Sequence, residues 1–296
     1  MRLAAVFSRY YPDTDYQYLI EMLRHLETEG FRLAVEHNFA AHLKTLWQPE
    51  KPWQSFQGYK DLPRETELFI TYGGDGTILR AATIVRDTGI PIMGINAGRL
   101  GFLADIPKES ITVAVDNYLS GEFYIQPRSL LAVETRPETP KIKELNFALN
   151  ELTVTRKNST SMISVEVSVN GEFLSTYWAD GLIVSTPTGS TGYSLSCGGP
   201  ILTPDTRGMI INAIAPHNLT VRPLVLPDHY EINLVPAGRE KEFLLSLDSR
   251  VLSIPFGTRI TVKRAGFKLN FIRLNEYTFI RTLRRKLFWG YDNRNT

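Results

Sequence analysis

The segment Leu68-Phe69-Ile70-Thr71-Tyr72-Gly73-Gly74-Asp75-Gly76-Thr77 decides how this chain is read. Its unbroken apolar start, bounded by glycines, reads as a buried strand. The glycines let the backbone turn tightly and approach a ligand. A strand that ends in such a loop and leads into a helix offers amide donors to an anion. The helix is expected from Thr77 to Thr88, with Ile78, Leu79, Ala82 and Val85 facing inward and Gly89 ending it. One acid, Asp75, stands where a phosphate would sit. A carboxylate repels phosphate unless it binds a metal or takes a proton from a substrate hydroxyl, and a base so placed contributes about 10²–10⁴-fold to rate. An ordinary turn aspartate is the bland alternative. The two leading glycines, the strand before and the helix after favour the functional reading. Arg80, one turn further on, supplies positive charge. The loop is neither a Walker loop, since the chain has no Gly-Lys pair, nor a GxGxxG dinucleotide fingerprint.

Outward from this segment, Leu3 to Phe7, Leu33 to Val35 and Ile92 to Ile95 read as further strands. Asp13 and Thr14 are candidate caps for a helix carrying Leu19, Leu23 and Leu26, closed by Gly30. Gln48 to Pro63, with proline, tryptophan and no period, reads as a loop. Strand and helix in alternation imply a parallel sheet flanked by helices. After about residue 125 the pattern changes to period two: Ile163, Val165, Val167 and Val169 alternate with polar residues, and Asn170-Gly171 marks a tight hairpin into Phe173. Leu130 to Glu134, Leu152 to Thr155, Leu182 to Val184, Tyr230 to Leu234, Phe243 to Leu247 and Arg259 to Lys263 are strand-like too. The expected architecture is an α/β N-terminal domain over 1–125 and a β-rich domain over 126–274. A tail, 275–296, is expected to return to the first domain. In it, Thr278 to Trp289 reads as a helix with Ile280, Leu283 and Leu287 on one side.

The 296 residues carry a formal charge of +2 and are 43% hydrophobic. Real cores are possible, and bulk charge makes no case for nucleic acid. One region is skewed: Arg281, Arg284, Arg285 and Lys286 lie close together, and a solvated basic helix face is the preferred reading over a polyanion site. The single cysteine, Cys197, excludes an intramolecular disulfide and suits a reducing compartment. Met1 to Ser8 is too short for a signal peptide. No stretch approaches the roughly 20 apolar residues of a membrane span. A soluble, cytoplasmic protein without membrane or nucleic-acid partners is expected.

A second glycine-rich loop, Thr186-Pro187-Thr188-Gly189-Ser190-Thr191-Gly192-Tyr193-Ser194, follows the apolar run Leu182 to Ser185. Its hydroxyls and amides suit a nucleotide, and the Tyr193 ring can stack on a base; a hydroxyl-rich turn at a sheet edge is an equally good account. Asn150-Glu151 begins a strand-like run and, alone, reads as two polar residues placed at the surface. His25, His37, His42, His217 and His229 show no metal-ligand spacing, so no residue is assigned to a metal. Ser190 lacks the Gly-x-Ser-x-Gly pattern of a hydrolase elbow.

Taken together, these residues resemble the NAD kinase family. The likeness is carried by Gly73 to Thr77, by Gly94-Ile-Asn-Ala-Gly-Arg-Leu-Gly-Phe-Leu103, by Asn150-Glu151, by Asp180-Gly-Leu-Ile-Val-Ser-Thr-Pro-Thr-Gly-Ser-Thr191, by Gly198-Gly-Pro-Ile201 and by Arg222-Pro-Leu224. GGDGT alone is shared with diacylglycerol and sphingosine kinases, so a lipid kinase is the alternative within phosphoryl transfer; a non-catalytic NAD(P)-binding regulator is the alternative outside it.

The resemblance implies an α/β domain and a β-rich domain with NAD between them. It implies transfer of the terminal phosphate of ATP, with a divalent cation such as Mg²⁺, to the 2′-hydroxyl of the adenosine ribose of NAD, giving NADP. Asp75 matches the catalytic aspartate, and Gly76 and its neighbours would lie along the phosphates. Arg80 falls where a basic residue is common. Asn150, Glu151 and Asp180 match positions that contact NAD, and Thr191, Gly192, Tyr193, Ser194, Leu195 and Ser196 match the stretch that holds the nucleoside. The family commonly has alanine where this chain has Gly192, a change that keeps the amide. A homo-oligomer, dimer or tetramer, is also implied.

Overall fold

In the computed structural model, which describes residues 2–9, 15–49, 51–158 and 162–288, the chain divides into two units, 1–127 with 269–296, and 128–268. The proposed caps Asp13 and Thr14, and Trp289 at the end of the tail, lie outside the described residues.

The first unit runs β1 (Leu3–Ser8), α1 (Gln17–Thr28), β2 (Arg32–Glu36), α2 (His37–Leu46), β3 (Gln54–Phe56), β4 (Leu68–Gly73), α3 (Asp75–Val85), β5 (Ile92–Asn96), β6 (Ile106–Pro107) and α4 (Ile111–Ser120). Its strands lie in the order β5-β4-β1-β2-β3, all parallel. Every residue of β4 is buried. That is the burial of a central parallel strand covered on both faces, and it explains the continuous apolar run. Leu19, Met22, Leu23 and Leu26 of α1 pack with Val6, Ile70, Met93 and Ile95 in the core.

Three details differ from the sequence reading. The helix after the first loop begins at Asp75 itself, and Leu79 is only half-buried. The region read as a loop holds β3 and a short 3₁₀ turn, Tyr59–Asp61, in which the Asp61 carboxylate accepts from the amides of Gln57 and Gly58, each at 2.8 Å. Two helices, α2 and α4, were not expected. The first is capped by the Glu36 carboxylate, which accepts the Phe39 amide at 2.9 Å.

The second unit begins within β7 (Tyr124–Arg136) and continues with α5 (Pro140–Lys143), β8 (Phe147–Ala148), β9 (Glu151–Arg156), β10 (Ile163–Val169), β11 (Glu172–Ala179), β12 (Gly181–Ser185), α6 (Tyr193–Ser196), β13 (Gly208–Ile214), β14 (Leu224–Pro227), β15 (Ile232–Ala237), β16 (Glu242–Leu247), β17 (Arg250–Pro255) and β18 (Arg259–Arg273). A six-stranded antiparallel sheet has the order β14-β13-β12-β9-β16-β17; β11, β10, β15 and the start of β18 form a second antiparallel run. Inward residues from both, among them Val154, Val184 and Leu245 with Val165, Leu234 and Val262, share one core, as in sheet-on-sheet packing. Asn170 and Gly171 both have positive φ, 50° and 84°, as a two-residue hairpin of primed type requires. The β-rich character expected after residue 125 is what the structure has.

Helix α7 (Phe279–Leu287) closes the described chain and belongs to the first unit. Its buried residues are Thr282 and Leu283. Ile280 and Leu287, expected on the buried side, are 55% and 37% exposed, so the apolar face is narrower than the spacing suggested.

Candidate active site

In the first unit the site is organised around the Asp75 carboxylate. β4 delivers the chain to Gly73, whose φ of 155° is open to glycine, and where a Cβ would lie 2.3 Å from the Thr77 hydroxyl oxygen. Asp75 then opens α3. Its Oδ1 accepts from the amides of Leu103 and Ala104, both at 3.0 Å, and its Oδ2 accepts from the Phe102 amide at 2.9 Å. This cradle is the loop after β5. Buried Asn96 shapes it: its Nδ2 donates to the carbonyls of Arg99 and Ala104, and its Oδ1 accepts from the Gly98 amide. Gly101 is required there, since a Cβ would sit 1.9 Å from Asp75 Oδ1. Buried Arg273 secures the far side through the Leu103 carbonyl and an ion pair with Asp105.

A carboxylate has about four acceptor positions. Oδ1 uses two of them on amides and Oδ2 one, so Oδ2 is the oxygen with capacity left for a substrate proton. Lys286 of α7 is the cation next to it, with Nζ 3.9 Å from Oδ2 and 4.6 Å from the centroid of the Phe102 ring. Phe279 packs on the same ring at 6.1 Å between centroids. Gly76, in the first turn of α3, is exposed and has open space where a Cβ would be. Arg80 is exposed and makes no ion pair with a described residue.

The remaining expected site residues lie in the second unit. The amides of Leu149, Asn150 and Glu151 all donate to the carboxylate of buried Asp248, at 3.0, 2.8 and 3.3 Å. That fixes the Asn150-Glu151 pair at the head of β9. Gly189 lies against this corner so closely that a Cβ would meet the Asn150 carbonyl oxygen at 2.1 Å. Gly192 is next to it, and a Cβ there would be 3.1 Å from Glu151 Oε2. Three buried side-chain atoms of this corner, Asn150 Oδ1, Glu151 Oε2 and Ser194 Oγ, have no hydrogen-bond partner. Buried polar atoms are normally paired, so three orphaned acceptors and hydroxyls at one corner stand out. Burial, aided by the Asp248 charge, pushes the Glu151 carboxyl up to about 8 against the opposing Tyr193 amide.

Around this corner, the Asp180 carboxylate accepts from Arg156 Nη2 at 2.8 Å. The Thr191 hydroxyl donates to the Thr188 carbonyl. Tyr193 is 44% exposed, and burial together with Cys197 and Asp180 raises its phenol. Leu195 is half-buried and Ser196 exposed. Asn212 holds the turn by donating to the carbonyls of Ser194 and Cys197.

Sequence reasoning did not single out Gly101, Ala104, Asn96 and Lys286, which the structure places around Asp75, or Asp248, which it places under Asn150 and Glu151. The Ala-Gly-Arg-Leu-Gly run after β5 was a readable signal for the cradle. Asp248 carries no local signal, because its role depends on β16 and β9 being neighbours. Among the described residues no group of three or more His, Cys, Asp or Glu side chains converges as a metal cage.

Comparison with known proteins bears directly on this geometry. Residues 8–123 match the model of an ATP-NAD kinase N-terminal domain, and residues 149–274 that of an ATP-NAD kinase C-terminal domain. The chain is 49% identical over 291 residues to an NAD kinase of Flavobacterium psychrophilum, covering 98% of this chain and 99% of that one. Its fold resembles yeast NADH kinase complexed with NADH, with a TM-score of 0.88 at 24% identity over 100% of this chain and 90% of the other. It also resembles an NAD kinase from Archaeoglobus fulgidus in complex with ATP, with a TM-score of 0.76 at 22% identity over 97% and 99%.

Proposed function

The chain belongs to the ATP-NAD kinase family and is a phosphotransferase acting on NAD, and from that premise we infer that Asp75 is its general base. ATP and NAD are the substrates and NADP the product. The observation that carries the base role is the uneven use of the Asp75 carboxylate: Oδ1 is filled by two amides, whereas Oδ2 accepts from one.

Phosphoryl transfer asks the protein mainly for positioning and charge neutralisation. The 2′-oxygen of the adenosine ribose gives its proton to Asp75 Oδ2 and bonds to the terminal phosphorus. The bond from that phosphorus to the bridging oxygen breaks, and ADP leaves. The amides of the 102–104 loop fix the base so that no reorganisation is needed at the moment of reaction. Lys286 stands beside the base and balances negative charge brought in by the donor. Gly76 lets phosphate approach the start of α3, and Arg80 adds positive charge on the same helix.

The dinucleotide is held by Asn150, Glu151, Asp180 and the stretch Thr191, Gly192, Tyr193, Ser194, Leu195 and Ser196. Support comes from the unpartnered Asn150 Oδ1, Glu151 Oε2 and Ser194 Oγ. With its carboxyl raised to about 8, Glu151 carries a proton at pH 7 and offers an O–H donor to a sugar or amide oxygen. The exposed Tyr193 ring suits stacking. A divalent cation completes the donor. Asp75, the one carboxylate of the glycine-rich loop, is the protein group that would face such an ion. When bound it supplies charge neutralisation.

We assign the protein to the cytoplasm as a homo-oligomer. Its one cysteine suits a reducing compartment, and β11 turns Phe173 and Trp178 to solvent, 62% and 55% exposed, as surface that self-association covers. No helix among the described residues is long and apolar enough to cross a membrane. The direct test is to incubate the pure protein with NAD, ATP and Mg²⁺ and to assay NADP with an NADP-specific dehydrogenase. NADP accumulation is expected. Phosphorylation of diacylglycerol instead would favour the lipid-kinase alternative.

A further inference from the structure

All six backbone polar groups of Leu149, Asn150 and Glu151 are bonded by two other residues, Asp248 and Thr186. Asp248, in the turn from β16 to β17, takes the three amides on its carboxylate and donates its own amide to the Glu151 carbonyl at 2.9 Å. Thr186, directly after β12, donates from its hydroxyl to the Leu149 carbonyl at 2.6 Å and from its amide to the Asn150 carbonyl at 2.9 Å. The same hydroxyl accepts the Gly189 amide at 3.1 Å, which ties this corner to the second glycine-rich loop.

Strand pairing does not supply such an arrangement. Successive amides of a strand face opposite edges, so three that converge on one carboxylate make an anion-binding nest instead. Here the anion is the protein's own. The Asp248 side chain is 3% exposed. Burial pushes its carboxyl up, and the three amides and Arg250 oppose that shift. Arg250, with Nη2 3.7 Å from the Asp248 carboxylate, donates to the carbonyls of Leu145, Phe147 and Leu247, so the turn is anchored to the segment that leads into β9. A buried charge is costly, and a tight hairpin closes without one, as Asn170-Gly171 does between β10 and β11. What the charge holds is the pair of residues whose Asn150 Oδ1 and Glu151 Oε2 have no hydrogen-bond partner.

We propose that Asp248 and Thr186 are positioning residues for the dinucleotide: they lock the backbone of residues 149–151 along both its amides and its carbonyls, and so set where the Asn150 and Glu151 side chains meet the ligand. They act through Asn150 and Glu151. The inference rests on the reading that this corner holds NAD, and it does not depend on Asp75 being the base.

The test is steady-state kinetics in both substrates, with a melting curve for each variant. Asp248→Asn keeps the shape of the side chain and suits the φ of 53°, but accepts at one oxygen instead of two. Thr186→Val keeps the shape and loses the hydroxyl, which Thr186→Ser retains. Asp248→Asn and Thr186→Val should each raise the KM for NAD at least about fivefold, with kcat within about threefold and the KM for ATP within about twofold of wild type. Thr186→Ser should keep the KM for NAD within about twofold of wild type. Ile254→Val, which thins the same core from β17, should lower the melting temperature and leave the KM for NAD unchanged. If Asp248→Asn does not fold, the two Thr186 variants carry the test. Asn150→Ala/Glu151→Ala should raise the KM for NAD as well. If it does not, the corner is not where NAD binds, and the reading beneath the proposal falls with it. If it does while Asp248→Asn and Thr186→Val leave that KM unchanged, or if Ile254→Val raises it as much as they do, the positioning role is overturned.

Discussion

The ammonium of Lys286 lies 3.9 Å from Oδ2 of Asp75, the carboxylate oxygen that accepts from a single backbone amide. The lysine stands on the last helix of the described chain and the aspartate opens α3, so the two lie 211 positions apart in sequence. An ammonium in this position lowers the cost of bringing a triphosphate up to a carboxylate.

Removing one electrostatic donor in a closed site costs about 10²–10³ in turnover. Lys286 keeps a third of its side chain exposed, and solvent weakens the effect. Lys286→Met should therefore lower kcat about tenfold and raise the KM for ATP, with the KM for NAD changed less than about twofold. Lys286→Arg should recover part of the loss. Steady-state kinetics in both substrates checks this; an unchanged kcat for Lys286→Met would remove Lys286 from the reaction.

The cradle of Asp75 has no room at Gly101, where a Cβ would lie 1.9 Å from Oδ1, whereas Gly98, three residues earlier on the same loop, has nothing within 4 Å of that position. Gly101→Ala should displace the carboxylate and lower kcat by at least about tenfold, in keeping with the steep cost of misplacing a catalytic group. Gly98→Ala should stay within about threefold of wild type. Equal behaviour of the two variants would contradict the geometric account.

The Glu151 carboxyl is raised from 4.5 to about 8, first by burial and then by Asp248. A raised carboxyl means that the folded state holds its proton more tightly than the unfolded chain does. The associated stability is complete below pH 4.5 and is lost as pH rises through about 8. Each tenfold difference in proton affinity is worth about 1.4 kcal/mol. The melting temperature without ligand should fall between pH 6 and pH 9, and Glu151→Gln should flatten that fall. A variant that keeps the full slope would place its origin elsewhere.

The accepting oxygen is the ribose 2′-hydroxyl, so the 2′-deoxy analogue of NAD should bind and take up no phosphate. Mass spectrometry of the reaction mixture decides this; a phosphorylated deoxy product would contradict the assignment of the nucleophile.

Much of this was legible in the sequence. The Leu68–Gly73 strand and the Asp75 loop follow from an apolar run ending in glycines, and the hairpin at Asn170-Gly171 follows from the need for positive φ at both residues. What escaped did so for physical reasons. The segment Ile111-Thr-Val-Ala-Val is rich in β-branched residues, which disfavour helix. It folds as α4 because Ile111, Ala114, Val115 and Tyr118 fall on one buried face, so tertiary packing outweighed local preference. Helix α2 follows β2 with no intervening turn residue, and only the Glu36 cap marks the change. The roles of Lys286 and Asp248 are set by contacts between residues remote in sequence, which no local pattern records. The basic cluster near the C-terminus, read as a solvated face, is exposed at Arg281, Arg284, Arg285 and Lys286; only the approach of Lys286 to Asp75 escaped that reading.

The most direct test of the account is the Asp75→Asn variant, measured for both NAD binding and turnover. Asparagine keeps the shape of the side chain and an acceptor oxygen but cannot take the proton. The account predicts NAD affinity within about threefold of wild type and turnover lower by at least about a hundredfold. Turnover near the wild-type rate would show that another group removes the ribose proton.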